Sequence, residues 1–296
     1  MEPHQAVVER VAQSNGVVLL IGGLDTGKTT MGRQLAAAGL RLERSVAYLD
    51  ADLGQKAVGP PATVALRMIR TPEDLRPDAM ARPDAISFVG ATSPQGQLLP
   101  LVVGSARLLE RALDEGADLV IVDTGGLISG VYGQLLKYHK VELLRPDVVI
   151  GLQRGAELDP ILGIIHRFFA TDVVALPVHP EVRPTSVEER AQSRERAMRS
   201  YFAEPIQRWR IKPTVFMPAL PTMFDQSQLH QLLVGLSDGK GEYIGLGILE
   251  HSADDDLLRL LSPVAEAPKA LKLGSVRVEP DYRVRRVDLR NLFGTD

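Results

Sequence analysis

Two short stretches hold residues whose types and spacing suit chemistry on a nucleotide. Within "IGGLDTGKTTMG", Gly22-x4-Gly27-Lys28-Thr29 is a Walker A pattern. A glycine-rich turn between a strand and a helix points backbone N–H groups at phosphate oxygens. Lys28 adds a mobile positive charge for the β and γ phosphates, and the Thr29 hydroxyl suits Mg²⁺. The expected cradle is Gly22, Gly23, Leu24, Asp25, Thr26, Gly27, Lys28, Thr29 and Thr30, with ATP and Mg²⁺ as cofactors and other nucleoside triphosphates left open. A turn needed only for strand-to-helix geometry would leave the Lys-Thr pair unexplained. Further on, "YLDADLGQ" carries Asp50 and Asp52, and "LVIVD" ends in Asp123. Carboxylates at the C-terminal edge of a parallel sheet face the crevice where ligands of such folds bind. One acid there can hold Mg²⁺ while another takes a proton from an attacking hydroxyl. Thr29, Asp50 and Asp123 are the expected metal-side residues, and Asp50 and Asp52, two apart, would project together if the strand continued. Asp123, ahead of "TGG", could also serve only as a turn residue.

The elements that position these groups follow from hydrophobic pattern. Apolar runs at Gly16 to Ile21, Ser45 to Asp50, Ala85 to Gly90, Asp118 to Thr124, Asp147 to Leu152 and Asp172 to Val178 predict strands. Between them, after a short lead helix, helices are expected at Thr29 to Gly39, Leu98 to Glu115, Gly133 to Leu144 and Pro160 to Phe169, then a charged one at Glu188 to Phe202. Continuous Val/Ile/Leu strands alternating with helices predict an α/β fold, a P-loop three-layer domain around a parallel sheet. Beyond it, Leu232 to Leu236, Tyr243 to Leu249, Leu271 to Val278 and Tyr282 to Leu289 read as short strands, with "SDGKGE" as a hairpin turn. A division into residues 1–224 and a smaller β-rich domain at 225–296 is expected.

Composition narrows the partners. At 296 residues, 45% of them hydrophobic, the chain can bury a substantial core, and a net charge of −3 excludes a globally basic nucleic-acid coat. With no cysteine, disulfides, thiolate zinc sites and a cysteine nucleophile are excluded, and the six histidines never take metal-ligand spacing. No long apolar run suggests a signal peptide or a membrane span, so a cytoplasmic protein without membrane partners is expected. A guanine switch usually needs Asn-Lys-x-Asp, and neither Asn15 nor Asn291 fits that pattern.

"GGLDTGKTT" joined to "YLDADLGQKAVGPPAT" resembles the polynucleotide 5′-hydroxyl kinase family, which includes RNA kinases of mRNA 3′-end cleavage, tRNA splicing and pre-ribosomal-RNA processing and stand-alone prokaryotic members. "FVGATSPQGQ" resembles its clasp, "VDTGGL" its Thr-x-Gly-Trp motif, "RAQSRERAMRSYF" its arginine-bearing lid, and "GLGILE" the C-terminal domain of prokaryotic members. The resemblance implies Mg²⁺-assisted transfer of the ATP γ-phosphoryl to the 5′-OH end of RNA or DNA. It implies Lys28 on the phosphates, Asp50 as the base with Asp52 beside it, Arg190 and Arg194 as the lid clamp, and Gln55, Thr92, Ser93 and Thr124 toward the acceptor strand. Leu127 stands where the motif has Trp, and about fifteen residues precede the first strand where eukaryotic members carry a domain over the adenine.

On a helical wheel Val187, Ala191, Met198 and Phe202 share one side, with Arg194 and then Arg190 at its margin and Arg196 and Arg199 pointing away. Such a helix could close over phosphates, or be a solvated one paired through Glu188, Glu189 and Glu195. Trp209 in "RWRIK" fits base stacking or core packing. Lys137, His139 and Lys140 fit a basic patch along a strand backbone or a solvated helix face. A small-molecule hydroxyl kinase and a nucleotide-binding scaffold without turnover are the alternatives to a polynucleotide kinase, and protein partners are not specified by the sequence.

Overall fold

The computed structural model describes residues 3–14, 16–203, 205–217, 219–220, 224–252 and 257–293. Asn15 and the tetrapeptide 253–256 thus lie outside the described residues. Helix α1 (Pro3–Ala12) leads into β1 (Gly16–Gly22), α2 (Lys28–Arg41), β2 (Val46–Ala51), β3 (Thr63–Ile69), the single-turn α3 (Pro77–Met80), β4 (Ala85–Phe88) and α4 (Leu98–Asp114). Then come β5 (Leu119–Thr124), α5 (Gly130–Leu144), β6 (Val148–Gln153), α6 (Asp159–Phe168), β7 (Asp172–Pro177) and α7 (Val187–Tyr201). The remainder is β8 (Gln207–Arg210), β9 (Leu232–Ser237), β10 (Tyr243–Ser252), β11 (Leu257–Ser262), β12 (Ala270–Val278), β13 (Val284–Arg286) and α8 (Leu289–Phe293).

Five parallel strands in the order β2-β5-β1-β6-β7 form the half of the sheet that carries the Walker A segment. β2, β5, β1 and β6 are buried on both faces because their side chains alternate between two cores, while the edge strand β7 is mostly exposed. Val18 and Leu20 of β1, Val46 and Tyr48 of β2 and Ile121 of β5 join Val8, Met31, Leu35 and Met198 on the α1, α2 and α7 side. Val17, Leu19, Ile21, Ala47, Leu49, Val120 and Val122 meet Leu101, Leu108, Leu136, Val141, Ile161 and Ile165 of α4, α5 and α6 on the other. This is the expected α/β/α sandwich, and each fully buried Leu, Ile or Val contributes about 1.5–3 kcal/mol to it.

The sheet departs from the all-parallel expectation beyond β2. β3, which the hydrophobic-run reading passed over, pairs antiparallel with β2 and again with β4, so β4 runs with the parallel set but never touches it. Arg67 interrupts the apolar run of β3, and Asp74 and Asp84 bind its guanidinium. β10 joins β4 at Tyr243 and Ile86, which continues the sheet through β9, β12 and β13, thirteen strands in all among the described residues. The β9–β10 turn is the expected hairpin, with the Asp238 carboxylate accepting the Lys240 and Glu242 N–H groups at 2.7 and 3.1 Å. A third core forms there around Leu232, Val234, Leu249, Leu260 and Leu271. Trp209, paired in register with Leu260, packs against it, the packing alternative of the two left open for this ring. No helix among the described residues is long and apolar enough to cross a membrane.

Candidate active site

β1 stops at Gly22 and α2 starts at Lys28, so the phosphate loop sits on the C-terminal edge of the central strand. Gly27, at the helix N-cap, has φ of 87°, a left-handed conformation that side chains resist. Lys28 is buried with its Nζ folded over the loop, donating to the Gly23 carbonyl at 2.6 Å and the Thr26 hydroxyl at 3.3 Å. Burial lowers its pKa, opposed by the charges of Asp123, Asp52 and Asp25. Thr29 Oγ1 donates to Asp123 Oδ2 at 2.6 Å, and the Tyr48 hydroxyl donates to the same oxygen at 3.0 Å. Burial first, and then the nearby Asp50 charge, push the Asp123 carboxyl up to about 6.

The loop opens into a cavity of about 650 Å³. The strand order dictates its layout: Asp52 and Asp123 flank it from β2 and β5, the loop forms its floor at β1, and Leu152 and His179 come from the β6 and β7 side. His4 and Gln5 of α1 reach that far side as well, and His4 Nε2 lies 2.8 Å from the Pro177 carbonyl at the end of β7.

A second cavity of about 400 Å³ lies beside the first. Thr92 and Ser93 line it with Leu127, Lys140 and Arg194, and Asp52, Gln55 and Arg190 belong to the walls of both cavities. Six of the residues named from the sequence thus meet at one junction: Asp52, Gln55, Thr92, Ser93, Arg190 and Arg194. Thr124 is placed differently. It is buried, donates to the Leu20 carbonyl at 2.8 Å and lines the first cavity, away from Thr92 and Ser93.

Asp50 and Asp52 do not project together, because β2 ends at Ala51 between them. Asp50 turns into the protein. Its carboxylate pairs with Lys56 Nζ at 2.9 Å, both side chains being 1% exposed, and accepts the N–H groups of Asp52, Ala57 and Val58 at 3.0, 2.6 and 2.9 Å. It lines neither cavity. Asp52 accepts Gly54 N–H and Gln55 N–H at 2.8 and 3.0 Å, both on Oδ1, while Oδ2 faces the Gly125 backbone.

Helix α7, the expected lid, starts with a capping box in which Ser186 and Glu189 bond each other's backbone N–H. Met198 and Phe202 are buried as expected, but Val187 is 68% exposed and Ala191 is also exposed, so only the C-terminal half of the helix packs. The other half is held by Asp25, whose Oδ2 accepts Thr185 N–H and Arg190 Nη1, each at 2.9 Å. A residue inside the phosphate loop therefore tethers the arginine helix, a contact that no local sequence pattern announces. Gly126 brings "TGG" against the same loop, where a Cβ would come within 2.8 Å of Leu24 N.

Lys137 and Lys140 overturn both readings of the small basic patch, since both are fully buried. Lys137 Nζ donates to Thr124 Oγ1 and the Gly125 carbonyl, each at 2.8 Å. Only His139 faces out, next to Glu142 at 3.1 Å. The signal was present in the spacing: Gly133, Lys137, Lys140 and Leu144 fall on one helical stripe, and all four are buried.

Comparison with known proteins agrees with this architecture. The polyribonucleotide 5′-hydroxyl-kinase of Methanocaldococcus jannaschii is 30% identical, over 88% of this chain and 87% of its own. The enzyme of the same name from Pyrococcus furiosus is 28% identical over 89% and 88%. A chain of the solved Clp1p–Pcf11p complex superposes with a TM-score of 0.74, covering 92% of this chain and 77% of its own, and at 15% identity that likeness carries the fold alone. The family description "mRNA cleavage and polyadenylation factor CLP1 P-loop" matches residues 22–204, from the phosphate loop through the lid, and the chain belongs to that family.

Proposed function

We propose that this chain is an ATP-dependent polynucleotide 5′-hydroxyl kinase that moves the γ-phosphoryl of ATP to the 5′-OH end of RNA or DNA. The observation that carries the reading is the shared wall of the two cavities, where Asp52, Gln55 and Arg190 stand with Leu24 and Gly126. Phosphoryl transfer needs the attacking and leaving oxygens in line, with catalysis coming from position and charge. A donor held by the phosphate loop and an acceptor hydroxyl in the second cavity would meet at that wall.

In this scheme the loop N–H groups and Lys28 hold the β and γ phosphates. Asp52 takes the base role that the family resemblance gave to Asp50, because Asp50 is spent on Lys56 and three N–H groups while Asp52 Oδ2 is free of them. The 5′ oxygen forms its bond to the γ phosphorus as the bond to the β–γ bridging oxygen breaks. Asp52 takes the hydroxyl proton, and ADP leaves. Arg190 and Arg194 oppose the charge that spreads over the transferred group, a task worth on the order of 10³–10⁵ in rate for an arginine finger.

Thr29 Oγ1 and Asp123 Oδ2, 2.6 Å apart, form a hard-oxygen pair that suits Mg²⁺. When bound, the ion would neutralise charge on the β and γ oxygens. A cytoplasmic setting fits the cysteine-free composition.

The convergence of Asp52, Arg190 and Arg194 favours turnover over a scaffold that only retains nucleotide. The test is incubation with γ-labelled ATP, Mg²⁺ and 5′-OH RNA or DNA. Label on the oligonucleotide is expected, and absence of label from protein that demonstrably binds ATP overturns the reading.

A further inference from the structure

Lys140 is fully buried, and its Nζ has no hydrogen-bond partner among the described residues. A bare ammonium in a protein interior is among the most costly groups to keep. Its neighbour on the same helix stripe, Lys137, is satisfied by Thr124 and Gly125, so the helix does not require a bare amine at this depth. Lys140 lies on the wall of the second cavity, with Asp52, Thr92, Ser93 and Arg194 around the same space. Burial brings its pKa down to about 7, against the opposing pull of Asp52, Asp123 and Asp50 and with the repulsion of Lys56. An anion entering the cavity would complete its hydrogen bonding and restore its charge, and the flexible lysine stem can bring the amine to it.

The cavity holds about 400 Å³, near the lower end for small-molecule sites, so it suits a terminal nucleotide and not a length of strand. With the 5′-hydroxyl at the junction wall, the nearest anion on an acceptor is the phosphate on the 3′ oxygen of the same nucleotide. Arg190 is already tied to Asp25 at the junction. Arg194 sits on the half-exposed lid, which leaves Lys140 as the cation fixed in the cavity wall.

We propose that Lys140 seats the 3′-phosphate of the acceptor's terminal nucleotide and thereby makes the site select a polynucleotide end over a free nucleoside. The assignment rests on the kinase reading. Its physical basis is that a buried group built to bond a substrate rejects an analogue that leaves it bare.

The experiment compares a nucleoside 3′-monophosphate with the matching nucleoside as acceptors, for wild type, Lys140→Met and Lys140→Arg. Wild type should prefer the 3′-phosphorylated acceptor by at least about a hundredfold in kcat/KM. That preference should fall at least about tenfold in Lys140→Met and be partly kept in Lys140→Arg. Equal preference in wild type and a natively melting Lys140→Met variant overturns the assignment. Calorimetric binding of the nucleoside 3′-monophosphate separates the two claims. If wild type transfers nothing to any acceptor yet Lys140→Met loses affinity for this ligand, the kinase reading falls and the anion seat stands. Unchanged affinity removes the seat.

Discussion

Replacing Lys140 with methionine keeps an unbranched stem of similar length and deletes the bare amine. The amine's pKa drops from 10.5 to about 7 on burial, and at about 1.36 kcal/mol per unit this bounds the cost of the buried charge at about 5 kcal/mol. The sign follows from proton counting. Below about pH 7 the amine is protonated in both folded and unfolded chains, and the fold bears the whole cost. Between about 7 and 10.5 the folded amine sheds its proton first, the unfolded chain binds more protons, and stability rises with pH. Lys140→Met should therefore be more stable than wild type at about pH 6, with a gain that shrinks by about pH 9. Even 2 kcal/mol corresponds to about 3 °C in Tm for a chain of 296 residues. Lys28, lowered by burial, titrates in both proteins, whereas Lys137, lowered by burial and then by the Lys140 charge, is relieved of that second cause in the variant, which acts in the same direction. Thermal unfolding of both proteins across this range is the assay. A variant less stable at low pH, or an offset independent of pH, would refute the picture of a bare buried ammonium.

Asp50→Asn leaves Lys56 buried without its counter-charge and should lose about 3–5 kcal/mol of stability, read by denaturant unfolding. Asp52→Asn should melt near wild type, keep ATP binding and lose about 10²–10⁴ in transfer rate; the reverse pattern would return the base role to Asp50. Asp25→Ala frees Thr185 N–H and Arg190, so amide exchange across 185–190 should quicken by at least about tenfold. Gly126→Ala pushes a methyl group onto the Leu24 backbone and should weaken ATP binding about ten- to a hundredfold while the fold persists, measured by calorimetric titration.

Much of this was legible in the chain because its signals are local. The strand-loop-helix framing of Lys28 and Thr29 and the acids at the ends of β2 and β5 follow from hydrophobic runs and turn chemistry. What stayed hidden depends on how the chain turns after each element and on contacts between separate segments. The partner of Asp50 is six residues away, across a turn that reverses the chain after β2, and that reversal separates its fate from that of Asp52. Asp25 meets Arg190 across 165 residues, so its task needed the fold. β3 was missed because Arg67 breaks its apolar pattern, and only the acids Asp74 and Asp84 make that arginine tolerable. Lys137 and Lys140 of α5 run against the rule that charge marks solvent, although their spacing matches the buried stripe.

The central claim is a donor cavity and an acceptor cavity that meet at Asp52, Gln55 and Arg190. Mass spectrometry of a 5′-OH dinucleotide after incubation with ATP and Mg²⁺ tests it most directly. The account predicts the gain of one phosphoryl group at the 5′ end and none on the same dinucleotide already carrying a 5′-phosphate. An unmodified dinucleotide with ATP converted only to ADP and inorganic phosphate would contradict it.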